Sequence, residues 1–142
     1  NDLKIHTSSM LHLNCYQNWI GTCSDDQSIA LVNITSLCRD SMYRPITLKG
    51  HQKAVNKLVF VPPTHGEGLK LWSASRDLSI RLWDLSNFPP DGPYPVLQEI
   101  KNAHTLNITA LTTIPSKPDI LVSGSRDYSL KLWDVNTSQS IS

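Results

Sequence analysis

The 142-residue sequence predicts an all-β chain built from three like sheets of antiparallel strands. Three observations predict it. A strand of small residues, an Asp-containing turn and a second strand recur over 20–33, 71–84 and 121–134. The turn aspartates Asp26, Asp77 and Asp127 are spaced by 51 and then 50 residues. No window of 11 or more residues carries apolar positions at i, i+3 and i+4, so helix content is expected to be very low. A repeat of this size fixes architecture before any single residue is read. A residue that recurs in every copy builds the copy.

The elements follow in order. Residues 3–5 read as the tail of an outer strand from a preceding sheet. Residues 55–61 and 108–114 are runs rich in β-branched residues, each ended by a breaker, Pro62-Pro63 or Pro115, and followed by the next strand. Within 80–83 and 130–133 apolar and basic residues alternate at first, as a half-buried strand requires. Outer strands are expected near 46–49 and 96–101, and a further one should be forming where the sequence stops at Ser142. Each copy is thus drawn as strands a, b and c with an outer strand d.

Two more positions recur. A histidine precedes each copy, at His6, His51 and His104, with Gly50 before the second. A tryptophan ends the second strand at Trp83 and Trp133, each followed by Asp, whereas Val32-Asn33 stands there in the first copy. The pattern Gly-His, then Ser-x-Asp, then Trp-Asp resembles the WD40 repeat, whose period is ~40–45 residues with four strands per propeller blade. The resemblance covers nearly the whole chain, is specific in copies two and three, and is degenerate in copy one. The copies here are longer, and the excess sits at 62–68 and 87–94. The resemblance implies a partial WD40-type β-propeller of about three four-stranded antiparallel blades. It would form one unit over 1–142, with blades at 6–49, 50–103 and 104–142. Propellers usually have about 4–8 blades, so the chain reads as a fragment of a longer protein. The alternative is a ring closed by several copies.

The net charge of +1 is spread evenly, with no basic stripe of the kind a dedicated nucleic-acid binder carries. Nucleic acid is therefore not an expected partner. No apolar run is long enough for a membrane span, and no signal peptide is visible. Cys15, Cys23 and Cys38 make no zinc or Cys-x-x-Cys spacing and fit a reducing compartment. The expected location is intracellular, cytoplasmic or nuclear. The glycosylation triplets at Asn33, Asn107 and Asn136 read as chance in a Ser/Thr/Asn-rich chain. Phosphate loops, metal clusters and dinucleotide fingerprints are missing, so no cofactor and no metal is expected.

His51, Ser75 and Asp77, like His104, Ser125 and Asp127, are the residue types of a hydrolase. Recurrence argues against catalysis, which needs one such set in a cleft, and no Gly-x-Ser-x-Gly elbow accompanies either. The resemblance implies instead one buried network per blade: His51, Ser75, Asp77 and Trp83, and then His104, Ser125, Asp127 and Trp133. Ser73 or Ser123, on the same strand face, can hold the serine role instead. Asp would accept from the His ring, His would donate to the hydroxyl, and the hydroxyl would accept from the indole. In copy one the candidates are His6, Ser24 and Asp26, and Val32 offers no indole. His12 and His65 fall outside the pattern.

Function is then expected on what differs and is exposed. The family's partner face is the rim where b–c turns and d–a connections open. The resemblance places Arg76 and Arg126 there, with Asp25 at the matching position of copy one and Lys53 close by. Two guanidiniums on neighbouring blades can grip an acidic or phosphorylated segment. A second candidate is the Pro-rich stretch 87–95 with Phe88 and Tyr94 as aromatic anchors. WD40 receptors of cullin-type ligases often carry Arg two residues after Trp-Asp; Ser86 and Asn136 stand there. The reading is a non-catalytic interaction scaffold or adaptor for proteins or peptides. Its rivals are a scaffold portion of a larger enzyme or ligase complex, and a phosphopeptide- or nucleic-acid-reading face. Self-association is expected if the chain is complete.

Overall fold

The computed structural model describes residues 3–64, 66–86 and 95–141. They form three four-stranded antiparallel sheets. The first orders β1 (Met10–Tyr16), β2 (Trp19–Ser24), β3 (Ile29–Asn33) and β4 (Ile46–Leu48). The second orders β5 (Val55–Val61), β6 (Lys70–Ser75), β7 (Ile80–Asp84) and β8 (Val96–Ile100). The third orders β9 (Ile108–Ile114), β10 (Lys117–Ser125), β11 (Leu130–Asp134) and β12 (Gln139–Ser140). The fold class is the one the sequence predicts. Residues 3–5, expected as strand, are irregular.

One helix, α1 (Ile34–Arg39), sits between β3 and β4. Its N-cap is Asn33, whose side chain accepts from the Ser36 N–H at 3.1 Å. Asn33 occupies the place of Asp84 and Asp134, whose carboxylates cap the following turns by accepting from Ser86 and Asn136 N–H. One cap position therefore serves all three copies, and in the first it opens a helix.

The sheets stack through their inner strands, β1 against β5 and β5 against β9. Each seam is an apolar core. Cys23, Ile29, Leu31, Leu58, Phe60 and Leu71 fill the first, and Trp72, Ile80, Ile108, Leu111 and Leu121 belong to the second. The second strand of each of the first two sheets is covered on both faces, which explains its small residues: Gly21, Thr22 and Cys23 in β2, and Ser73, Ala74 and Ser75 in β6. A side chain at Gly21 would meet the Phe60 ring at 3.2 Å, so the first seam is packed tightly over this glycine. Burying one Leu of such a seam contributes roughly 1.5–3 kcal/mol.

Candidate functional site

The Asp-containing turns have one geometry in all copies. Leu78 N–H donates to the Ser75 carbonyl at 3.2 Å, and Ser75 N–H donates to the Ser79 carbonyl at 3.2 Å. Gln27, Leu78 and Tyr128 carry the turn's left-handed residue, with φ of 74°, 69° and 70°. A non-glycine there costs about 1 kcal/mol. Asp77 offsets it, with Oδ1 accepting from Ser79 N–H at 2.9 Å and Oδ2 from Gln52 N–H at 2.9 Å. Asp26 and Asp127 repeat both contacts.

From this carboxylate a chain of hydrogen bonds runs inward. His51 Nδ1–H donates to Asp77 Oδ2 at 3.0 Å, and Nε2 lies 2.7 Å from Ser73 Oγ. Trp83 Nε1–H donates to the same Oγ at 2.9 Å. The third sheet repeats this through His104, Asp127, Ser123 and Trp133. The bridging hydroxyls are therefore Ser73 and Ser123, not Ser75 and Ser125. Register explains the correction. Trp83 pairs with Leu71, so Ser73 is its diagonal neighbour on the same face, and Ser75 lies one pair too far. Ser75 Oγ instead donates to the Ala54 carbonyl at 2.8 Å and accepts from Asp77 N–H at 3.1 Å, tying turn to connection. Ser125 does the same toward Asn107. In the first sheet the bridging role falls to Thr22, 2.8 Å from His6 Nε2, and Ser24 makes the tie to Ser9. The proton on Nδ1 faces the carboxylate, and Nε2 faces the hydroxyl.

Burial disfavours charge on Asp77, yet donors from His51, Ser79 and Gln52 hold its carboxyl far below the usual range. The Ser129 hydroxyl, against the cost of burial, does the same for Asp127, helped by Ser129 N–H, Thr105 N–H and His104. Asp26 also pays for burial, but Ser28, Thr7 and His6 bring it to about 2. The carboxylates thus stay charged at neutral pH, each satisfied by donors.

The residue before each Asp points outward. Arg76 N–H donates to the Ala54 carbonyl at 2.9 Å, Arg126 N–H to Asn107 at 3.0 Å, and Asp25 N–H to Ser9 at 2.9 Å. Asp25, Arg76 and Arg126 therefore occupy equivalent rim positions with exposed side chains. Arg76 Nη1 reaches Asp25 Oδ1 at 3.6 Å, with both side chains nearly half exposed. Such a pair contributes under about 1 kcal/mol. Arg126 has no carboxylate partner among the described residues.

Two hollows adjoin these arginines. A groove of about 660 Å³ runs between the second and third sheets and is bordered by Lys53, Arg76, Arg81, Lys101, Thr105 and Leu106. Arg81 is tied to Glu99 at 3.2 Å. A smaller hollow of about 250 Å³ brings Arg76 and Arg126 together with Lys57 of β5. Lys57, Arg81 and Lys101 were not foreseen. For Lys57 the signal is a charge inside the run Val55–Val61, where the ladder is irregular between Val55 and Lys57. Phe88, Tyr94 and His65 lie outside the described residues.

Three blade-like sheets with one turn network each define a β-propeller scaffold, open and partial. The family model "WD domain, G-beta repeat" matches residues 43–84 and 95–134, more than half of the chain. The chain belongs to the WD40 repeat family, whose domains typically serve as protein-interaction scaffolds. Each match starts near the outer strand of one sheet and ends with the third strand of the next. Nuclear distribution protein nudF 2 of Aspergillus clavatus is 38% identical over 76 residues, which is 50% of this chain and 15% of that protein. The chain thus spans a small part of that relative's length. The crystal structure of the WD40 beta propeller domain of Doa1 superposes with a TM-score of 0.72 at 19% identity, covering 96% of this chain and 39% of that one. The computationally designed Ika4 protein gives 0.72 at 23% identity, covering 99% and 75%. These structural likenesses speak for the fold. Among the described residues no helix is long and apolar enough to cross a membrane.

Proposed function

We propose that this chain is a non-catalytic scaffold of the cytoplasm or nucleus that docks a segment of a partner protein on the turn rim. The segment lies in the larger groove and is acidic or phosphorylated. Arg76 and Arg126 hold it with their forked donors, and Lys53 adds a point charge. The observation that carries this reading is that Arg76 borders both the groove, beside Lys53, and the smaller hollow, where Arg126 from the equivalent turn joins it. The His, Ser and Asp side chains are occupied in building the turns, and Ser73 is fully buried under Trp83. Asp77 and Ser79 border the groove, but the Asp77 oxygens are taken up by His51, Gln52 and Ser79.

Affinity capture of partners by the wild-type chain and by Arg76→Glu/Arg126→Glu tests the reading. The double variant should keep its cooperative melt and lose the captured partners. A variant that melts like Asp77→Ala, or that captures the same partners, overturns the rim assignment.

A further inference from the structure

The smaller hollow deepens this reading of the rim. Its three cations come from three elements of two sheets: Lys57 from β5, Arg76 from the β6–β7 turn and Arg126 from the β10–β11 turn. The rest of its lining is neutral, with Asn56, Asn107 and Thr109 as the polar members. Of the three, only Arg76 has a carboxylate within ion-pair reach among the described residues, Asp25 at 3.6 Å. Three like charges around one hollow repel one another, and the lining leaves that repulsion uncompensated.

We infer that this hollow is a phosphate site, receiving the phosphoryl group of a phosphoserine or phosphothreonine on the docked segment. The inference rests on the groove-docking reading above. Charge matching favours it. A phosphomonoester carries about −1.5 to −2 charges at neutral pH and three acceptor oxygens. Three cations, one of them shared with Asp25, match that charge better than the single charge of Glu or Asp. Two guanidinium forks address two oxygens each, and the ammonium of Lys57 approaches as a point charge. Space allows it: a phosphoryl group displaces about as much as a few waters of ~30 Å³ each, and the hollow holds about 250 Å³. Continuity allows it too. Arg76 and Asn107 border both the hollow and the groove, so a side chain on a segment in the groove can turn inward at that point. A nucleic-acid strand would need an extended track of cations, whereas the three cations of the hollow gather around one place.

The test uses degenerate nonamer peptide libraries with a central phosphoserine, serine or glutamate, passed over the immobilised 142-residue chain. The wild type should retain the phosphoserine library at least about tenfold over the other two. Lys57→Gln and Arg126→Gln, both checked for an unchanged melt, should each reduce that preference several-fold. Lys53→Glu, in the groove alone, should weaken all three libraries together. Equal retention of glutamate and phosphoserine overturns the phosphate site and leaves groove docking standing. So does a phosphoserine preference that survives both Lys57→Gln and Arg126→Gln. Retention of no library overturns both readings. Binding of single-stranded RNA that displaces the phosphoserine library and is lost with Lys57→Gln overturns the peptide assignment.

Discussion

The backbone N–H of Leu58 donates to Nδ1 of His12 at 3.1 Å, across the seam between the first two sheets. A backbone donor of one inner strand is thus satisfied by a side chain of the other. The bond requires Nδ1 to be unprotonated. Burial, and then the charge of Lys57, push the His12 pKa below its ordinary 6.5.

The seam is therefore expected to weaken on acidification. The folded state resists protonating His12, while the unfolded chain takes up a proton near the ordinary pKa of about 6.5. The contribution is present in full above that pH and is lost as pH falls through the folded value. Urea unfolding from pH 8 to 5, compared with His12→Asn, reads it. Asn can still accept the Leu58 bond without titrating, so the difference between the two midpoints should grow in the variant's favour below pH 6.5.

Removing the bridging hydroxyl should cost more in the second sheet than in the first. Ser73→Ala strands both His51 Nε2 and the Trp83 indole, and is expected to destabilise by about 2–3 kcal/mol. Thr22→Val removes the contact to His6 and a long one to the Ala30 carbonyl, but no indole is stranded because Val32 stands where it would be, and it should cost about 1 kcal/mol. Denaturant midpoints of the two variants decide it.

Asp25→Asn is expected to leave stability within about 0.5 kcal/mol, as a half-exposed pair contributes little. It releases Arg76 from its only carboxylate contact among the described residues. Capture of anionic partners should rise while the thermal midpoint stays put.

Gly21→Ala is expected to destabilise by about 1–2 kcal/mol through crowding of the first seam. The new methyl meets Phe60 at 3.2 Å and Leu58 at 3.3 Å. Phe60→Leu in the same chain should relieve part of the loss, so a double-mutant cycle should show favourable coupling.

Strands β5 and β9 were legible residue for residue because β-branched runs and the prolines behind them mark both ends. Helix α1 was not legible: six residues held by one Asn33 cap leave no periodic trace. Ser73 and Ser75 share a face, so alternation alone could not separate them; only the pairing of Trp83 with Leu71 does. The rim arginines were visible as equivalent positions of a repeat. Lys57 was not, since a lysine within a strand reads as a solvated face until the irregular ladder beside it is seen.

The offset between repeat and sheet bears on how such chains grow and shrink. Excising 43–84 as one piece of gene would remove β4 through β7. What remains is β1, β2 and β3, followed by β8, which are the inner three strands and the outer strand of one complete sheet. Duplication of the same stretch would likewise insert a whole sheet and leave no orphan edge. An out-of-phase unit of inheritance thus changes the count of sheets by whole numbers, and lineages can lengthen or shorten the array without passing through a broken one.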